Sequence, residues 1–173
     1  MVPIEWVFLV IVLIFGVIGI VRGYLKELGV TTVMVVVLFG VTNFESRITP
    51  LLTKVAAKLV PDDVASLQAA FWIAAVVIAA FISYQGQTLV FEGTPPKGAL
   101  GTVLNAGSGL VNGYLIAGSV WFYLDRLGYP FLGIKPENLS SAAQAIVPVL
   151  PPRLLAPYLL YLVVFLVLMR VVR

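Results

Sequence analysis

Residues 4–41 read IEWVFLVIVLIFGVIGIVRGYLKELGVTTVMVVVLFGV, with the six residues Arg22 to Glu27 set between two apolar runs, Ile4 to Val21 and Leu28 to Val41. A chain that lives in water has no use for two such runs in succession, because a folded globule must cover its surface with polar side chains. A bilayer core asks for about 20 apolar residues per helical span. The rest of the composition agrees: of 173 residues, 61% are hydrophobic and only 11% charged. The chain therefore reads as an all-α integral membrane protein. The first run has no basic segment before it and no small-residue cleavage site, and it leads directly into the second, so it reads as a retained span rather than a removable signal peptide.

Five segments approach the length of a span. They are residues 4–21, 28–42, 64–84, 98–124 and 154–172, which gives an expectation of four to five transmembrane helices. Two readings of the opening pair stay open: a tight helical hairpin, or two half-spans whose backbone re-enters the membrane, which is tolerated only where protein or water satisfies its polar groups. Residues 49–60 read as an interfacial amphipathic helix, with Thr49 as its N-cap, Pro50 at its first position and Pro61 ending it. At 100° per residue, Leu51, Leu52, Val55, Ala56, Leu59 and Val60 cover one half of the wheel, while Lys54 and Lys58 lie opposite and would touch lipid headgroups. A soluble amphipathic helix packed on a partner is the alternative reading of this segment.

Asp62 and Asp63 offer caps for the helix of residues 64–84, and Gly93 with Pro95 and Pro96 punctuates the loop before the next helix. Residues 126–153 carry Gly128, Pro130, Gly133, Pro136, Pro148, Pro151 and Pro152, which forbid one long helix. Ser140 or Ser141 suits the cap of a short helix through Val147, a second interfacial candidate. The last segment, 154–173, carries Pro157 in its first turn and places Arg170 and Arg173 at the water boundary. Arg22 and Lys26, set against an N-terminus without either residue type, favour a cytoplasmic first connection, but the basic residues of the other connections do not support one orientation.

Two sets of residues carry specificity. Along residues 98–124, Gly101, Asn105, Gly109, Gly113 and Ala117 recur every fourth position. In lipid such a stripe matters because small residues let helix backbones come close enough for dispersion contact. Gly19 and Gly23 supply a matching small pair at the end of the first run. The second set is Arg22, Lys26 and Glu27, which have little loop with which to reach water. A charge at depth costs about 2.5–3.5 kcal/mol or more on insertion scales unless it is paired or faces water. Pairing Arg22 with Glu27 would reduce that cost; a turn resting at headgroup level is the alternative.

Catalysis lacks a candidate. Cysteine and histidine are absent, which removes thiolates, the commonest zinc and haem ligands, and the side chain that titrates near neutrality. Asp62 and Asp63 read as caps, and Ser83, Ser108 and Ser119 are far in sequence from any lysine that could serve as their base. No catalytic residue, metal ligand or cofactor is expected, and the scattered Lys and Arg point to headgroups rather than nucleic acid.

The order Glu5-Trp6, a long apolar run, then Gly19-x-x-Arg22-Gly23-Tyr24-Leu25-Lys26-Glu27-Leu28 resembles the opening of the colicin V production protein (CvpA) family. Leu100-Gly101, Gly109, Gly113 and Ala117 are similar to that family's glycine-rich span, and the resemblance covers roughly residues 4–125. It implies a multi-pass protein of the bacterial inner membrane with about four spans, linked to toxin export or production and to envelope maintenance, without an established reaction. The proline-punctuated loop and the last apolar segment are departures from the family core. The expectation is thus a non-enzymatic membrane protein in envelope homeostasis or secretion, whose partners are the lipid bilayer and either further copies, assembled through the glycine face, or other membrane subunits. An accessory subunit of a larger membrane complex is one alternative, and a channel or transporter component is another.

Overall fold

The interruption between the two apolar runs is a single residue. The computed structural model describes residues 3–86 and 91–171. In it α1 (Ile4–Arg22) ends at Gly23, whose φ of 87° lies in the left-handed region that glycine alone enters freely, and α2 begins at once with Tyr24. The six-residue turn read from the sequence is therefore replaced by two helix ends and one glycine. The Tyr24 N–H, left without an intrahelical partner, donates to Asn105 Oδ1 at 2.8 Å, so the opening of α2 is capped from a distant helix.

α2 (Tyr24–Leu59) is one helix of 36 residues, which corrects the division into a span at 28–42 and a separate interfacial helix at 49–60. At 1.5 Å per residue it is about 54 Å long, against about 30 Å for a bilayer core. The polar stretch that read as a break is satisfied inside the helix and beside it. Asn43 Nδ2 donates to the Phe39 carbonyl at 2.7 Å, and Glu45 pairs with Arg126 at 2.8 Å. Pro50 lies within α2 rather than at a helix start, and Thr49 is not a cap. Lys54 and Lys58 are exposed on its last turns.

α3 (Val64–Gln85) starts where the aspartates predict, and Asp63 is the cap, accepting from the Ser66 N–H at 3.2 Å. Gln68 Nε2 donates to Thr53 Oγ1 at 2.7 Å, which ties the beginning of α3 back to α2. α4 (Gly98–Arg126) lies among the other three, and its most extensive contact is with α1. Landmark contacts fix directions. Gly113 meets Val12 and Phe15, whereas Gly118 and Trp121 meet Phe8, so α1 runs antiparallel to α4. Tyr24 meets Asn105 and Glu45 meets Arg126, so α2 runs parallel to it.

The proline-rich stretch is less of a loop than its composition predicts. After Pro136–Asn138, a 3-10 turn, come α5 (Ser141–Ile146), capped by Ser140, and α6 (Pro151–Leu155), with Val147–Val149 in a 3-10 turn between them. Ala143, Leu150 and Pro151 are fully buried, and Gly118 of α4 takes the Pro151 ring. The C-terminal helix begins earlier than expected, at Pro151, and Ala156–Tyr158 is 3-10 before α7 (Leu159–Val171) packs on α2. Val172 and Arg173 lie outside the described residues.

All described secondary structure is helical. Four segments are long and apolar enough to cross a membrane: α1, α2, α3 and the stretch 141–171. α4, one of the five expected spans, is not among them, yet it is the most buried long helix. Gly101, Gly109, Gly113 and Gly118, with Asn105 and Asn112, lower its hydropathy and meet protein instead of surroundings. Outward faces are apolar instead, with Leu13, Val17, Phe81, Ile82 and Phe165 more than half exposed. Apolar surface of that extent marks contact with a membrane or with other proteins.

The glycine stripe is consumed inside the chain. A Cβ on Gly109 would strike the Phe15 carbonyl, one on Gly19 would strike the Asn105 carbonyl, and one on Gly113 would lie 2.8 Å from the Phe15 Cβ. Ala117 is buried on the same side. The expectation that this face joins separate copies is corrected: α1 of the same chain occupies it. Gly101 serves differently, since its missing side chain admits the Pro96 carbonyl. Gly109→Leu is expected to destabilise the fold by about 1–3 kcal/mol or more through overpacking. Gly107→Ala, where an added Cβ meets nothing within 4 Å, should be neutral or stabilising by up to about 1 kcal/mol. Thermal unfolding of both variants in one detergent checks the contrast.

Candidate functional site

Glu27 is the polar centre of the bundle. It lies one turn into α2 and is fully buried. An ionised group without partners at such a place is prohibitively costly, so its surroundings must answer for it. They come from three other helices. From α3, the Tyr84 hydroxyl donates to Glu27 Oε2 at 2.8 Å. From α4, Asn112 Nδ2 donates to the same oxygen at 2.7 Å and to the Glu27 carbonyl at 2.9 Å. From α1, Arg22 Nη1 faces Oε1 at 3.3 Å. The geometry of that last contact is a charge pair without a directed hydrogen bond, since neither atom has a hydrogen-bond partner.

The shell is itself fixed. Asn112 is fully buried, and its Oδ1 lies 2.7 Å from Thr31 Oγ1, four residues beyond Glu27 on the same face of α2. The Arg22 guanidinium lies over the Tyr84 ring, 4.4 Å from its centroid, and Nη2 donates to the Tyr84 carbonyl at 3.3 Å. Phe15 packs against the Tyr84 ring at 5.5 Å, about two turns in from the C-terminal end of α1.

The three candidate charges part company here. Glu27 is enclosed, Arg22 bridges the interior and the surface with its side chain 23% exposed, and Lys26 is exposed. Lys26 is therefore corrected from an embedded charge to a surface one; one residue of helical rotation separates it from the face Glu27 occupies. Arg22 also borders a cavity of about 420 Å³ together with Lys26, Phe91 and Glu92. Asn105 and Asn112, seven residues apart on α4, hold α2 at two successive levels.

Tyr84 and Thr31 escape sequence reasoning. Thr31 carried a signal, the four-residue spacing from Glu27. Tyr84 carried none, because a tyrosine at the end of an apolar helix is the ordinary anchor at a membrane interface.

A second polar cluster closes the opposite end of α4. Tyr129, at φ 57°, donates from its hydroxyl to Asp125 at 3.0 Å and accepts from Trp121 Nε1 at 3.0 Å. Burial pushes its phenol up to about 12. Arg153 approaches Asp125 at 3.7 Å, and Arg126 holds Glu45. Among the described residues no group of three His, Cys, Asp or Glu side chains is placed to hold a metal ion.

No family model, no curated protein and no solved structure matches this chain.

What the arrangement does chemically is to hold a carboxylate, a guanidinium, a phenol and a carboxamide in mutual satisfaction. Tyr84→Phe, which removes one donor to the carboxylate, is expected to cost about 1.5–3 kcal/mol, and Asn112→Leu, which removes two, more than that. Lys26→Ala should stay within about 0.5 kcal/mol of the parent. Unfolding midpoints of the three variants, measured side by side, test the ranking.

Proposed function

We propose that this chain is a non-enzymatic, multi-pass protein of the bacterial inner membrane, of the colicin V production type, acting in envelope homeostasis or secretion. One observation carries the reading. The two segments that resemble that family, residues 19–28 and 100–117, are distant in sequence yet form a single packed unit. Gly19 lies against Gly109, Tyr24 is capped by Asn105, and Glu27 is held by Asn112. Residues that carry the resemblance, Gly19, Arg22, Gly23 and Glu27, are those that make this unit, which supports a common architecture rather than a chance run of glycines.

The chemistry also favours a structural part for the polar core over a conducting one. Glu27, Asn112 and Thr31 spend their polar atoms on one another, whereas a permeation path needs such groups to face water or an ion. An accessory subunit of a larger membrane complex is the second reading. It is supported by α7, which buries only Leu159 and Leu166 and presents Leu160, Tyr161, Phe165 and Leu168 outward, a face suited to lipid or to another subunit.

Deletion of the gene in its host should raise uptake of an apolar dye through the envelope or lower export of a secreted reporter. Wild-type protein should restore it, while Glu27→Ala at equal abundance should not. An unaltered envelope and unaltered secretion in the deletion strain would overturn the functional reading. Loss of a co-purifying complex on removal of residues 159–173, with the remainder still folded, would favour the accessory subunit.

A further inference from the structure

Glu5 is the second carboxylate that the fold encloses, and unlike Glu27 it has no cation beside it among the described residues. The residue is 7% exposed. Its one hydrogen bond among the described residues is to Oε1, from the Ser140 hydroxyl at 2.5 Å, and no Lys or Arg of the described residues pairs with it. Burying a carboxylate with its charge unanswered is costly. The same side chain lines a cavity of about 340 Å³ at the start of α1, whose other polar walls are Ser140, Asn138 and Lys135 and whose apolar walls include Ile4, Ile134 and Leu139. Lys135 is exposed at its rim and does not reach Glu5.

A second cavity adjoins it across Ile4. An apolar groove of about 260 Å³ between α1 and α4 shares Ile4 with it and is walled by Phe8, Ile11, Ile116, Val120 and Trp121. An acid without a base, a base on the wall of the same cavity, and an apolar groove on the other side of Ile4 match one chemical class: an amphiphile with an ammonium, a phosphate and an alkyl chain. Trp6, next to Glu5 in sequence and 59% exposed, is the residue type that settles at headgroup depth.

We propose that this pocket binds the phosphoethanolamine headgroup of a membrane phospholipid, with its ammonium on Glu5 and Ser140, its phosphate on Lys135, and one acyl chain in the groove. A primary ammonium fits better than a quaternary one. It has N–H donors for a carboxylate, whereas choline groups are held by aromatic cages, and none of the described residues lining the polar cavity is aromatic. The proposal rests on the membrane reading above, and the groove favours a lipid over a free phosphoamine as the source of the headgroup.

The test compares the purified protein in bilayer nanodiscs of phosphatidylcholine with and without phosphatidylethanolamine of the same acyl chains. Phosphatidylethanolamine should raise the unfolding midpoint by about 2–4 °C. Glu5→Gln should abolish the difference, and Lys135→Gln should reduce it. Both variants should fold, since glutamine still accepts from Ser140 and Lys135 is on the surface; in pure phosphatidylcholine Glu5→Gln, which removes the unanswered charge, should melt no lower than the parent. Equal midpoints in the two lipids, or a difference that survives Glu5→Gln, overturn the site. A matching shift from free phosphoethanolamine overturns the lipid as its source. Failure to enter nanodiscs at all overturns the membrane reading, independently of any headgroup effect.

Discussion

A carboxylate that cannot reach water has to be met by protein, and meeting Glu27 is what brings four helices to one place. Its partners are the last residue of α1, the penultimate residue of α3 and the middle of α4. Each comes from a separate helix, and the carboxylate adds a polar constraint on rotation and depth to the close glycine contacts between α1 and α4. Apolar helices in an apolar surrounding slide and rotate at little cost, because one hydrocarbon contact replaces another. A fully enclosed carboxylate with two directed hydrogen bonds and a facing guanidinium removes that freedom. Its worth lies more in specifying one arrangement than in net stability, since a buried ion pair recovers little more than its own desolvation.

Close approach is what allows those partners to reach. Arg22 and Glu27 are separated by the Gly23 break, and the break is viable because Gly19 and Gly109 bring α1 and α4 nearly into backbone contact, which sets Asn105 beside the Tyr24 N–H. The same residues explain why the most enclosed helix is among the least apolar. α4 gives up hydropathy for glycines that fit and asparagines that bond, and α1, α2 and α3 present the apolar exterior. The inside-out distribution, polar groups central and hydrocarbon outward, is the one a lipid-solvated bundle requires.

Much of this was legible from the amino-acid sequence, and the failures have physical causes. Helix limits at α1, α3 and α4 fall within two residues of those expected, because Asp63, Gly98 and the run lengths mark them locally. The continuity of α2 was not legible. Asn43, Glu45 and Pro50 look like a break to any local reading, and only Arg126, 81 residues away from Glu45, shows why the helix persists. The pairing of Arg22 with Glu27 was within reach of the sequence, whereas the part of Tyr84 was not, since nothing local distinguishes an interfacial tyrosine from one that donates inward. A small-residue stripe announces close approach without naming its partner. Here the partner is α1 of the same chain, and the fold-level information lay in the match of Gly19 to Gly109 rather than in the stripe alone. The proline-rich stretch was read as surface because proline excludes a long helix; it does not exclude short ones, and Leu150 and Pro151 bury themselves against α4.

The claim that an enclosed charge pair organises the bundle is tested most directly by a double-mutant cycle on Arg22→Met and Glu27→Leu, read as unfolding free energies in a single lipid or detergent. Removing either partner alone leaves the other charge unanswered, so each single variant should lose about 3 kcal/mol or more, while the double variant should be more stable than the worse single one. Additive losses, with the double variant's loss equal to the sum of the two single losses, would contradict the account and reduce the pair to two independent packing residues.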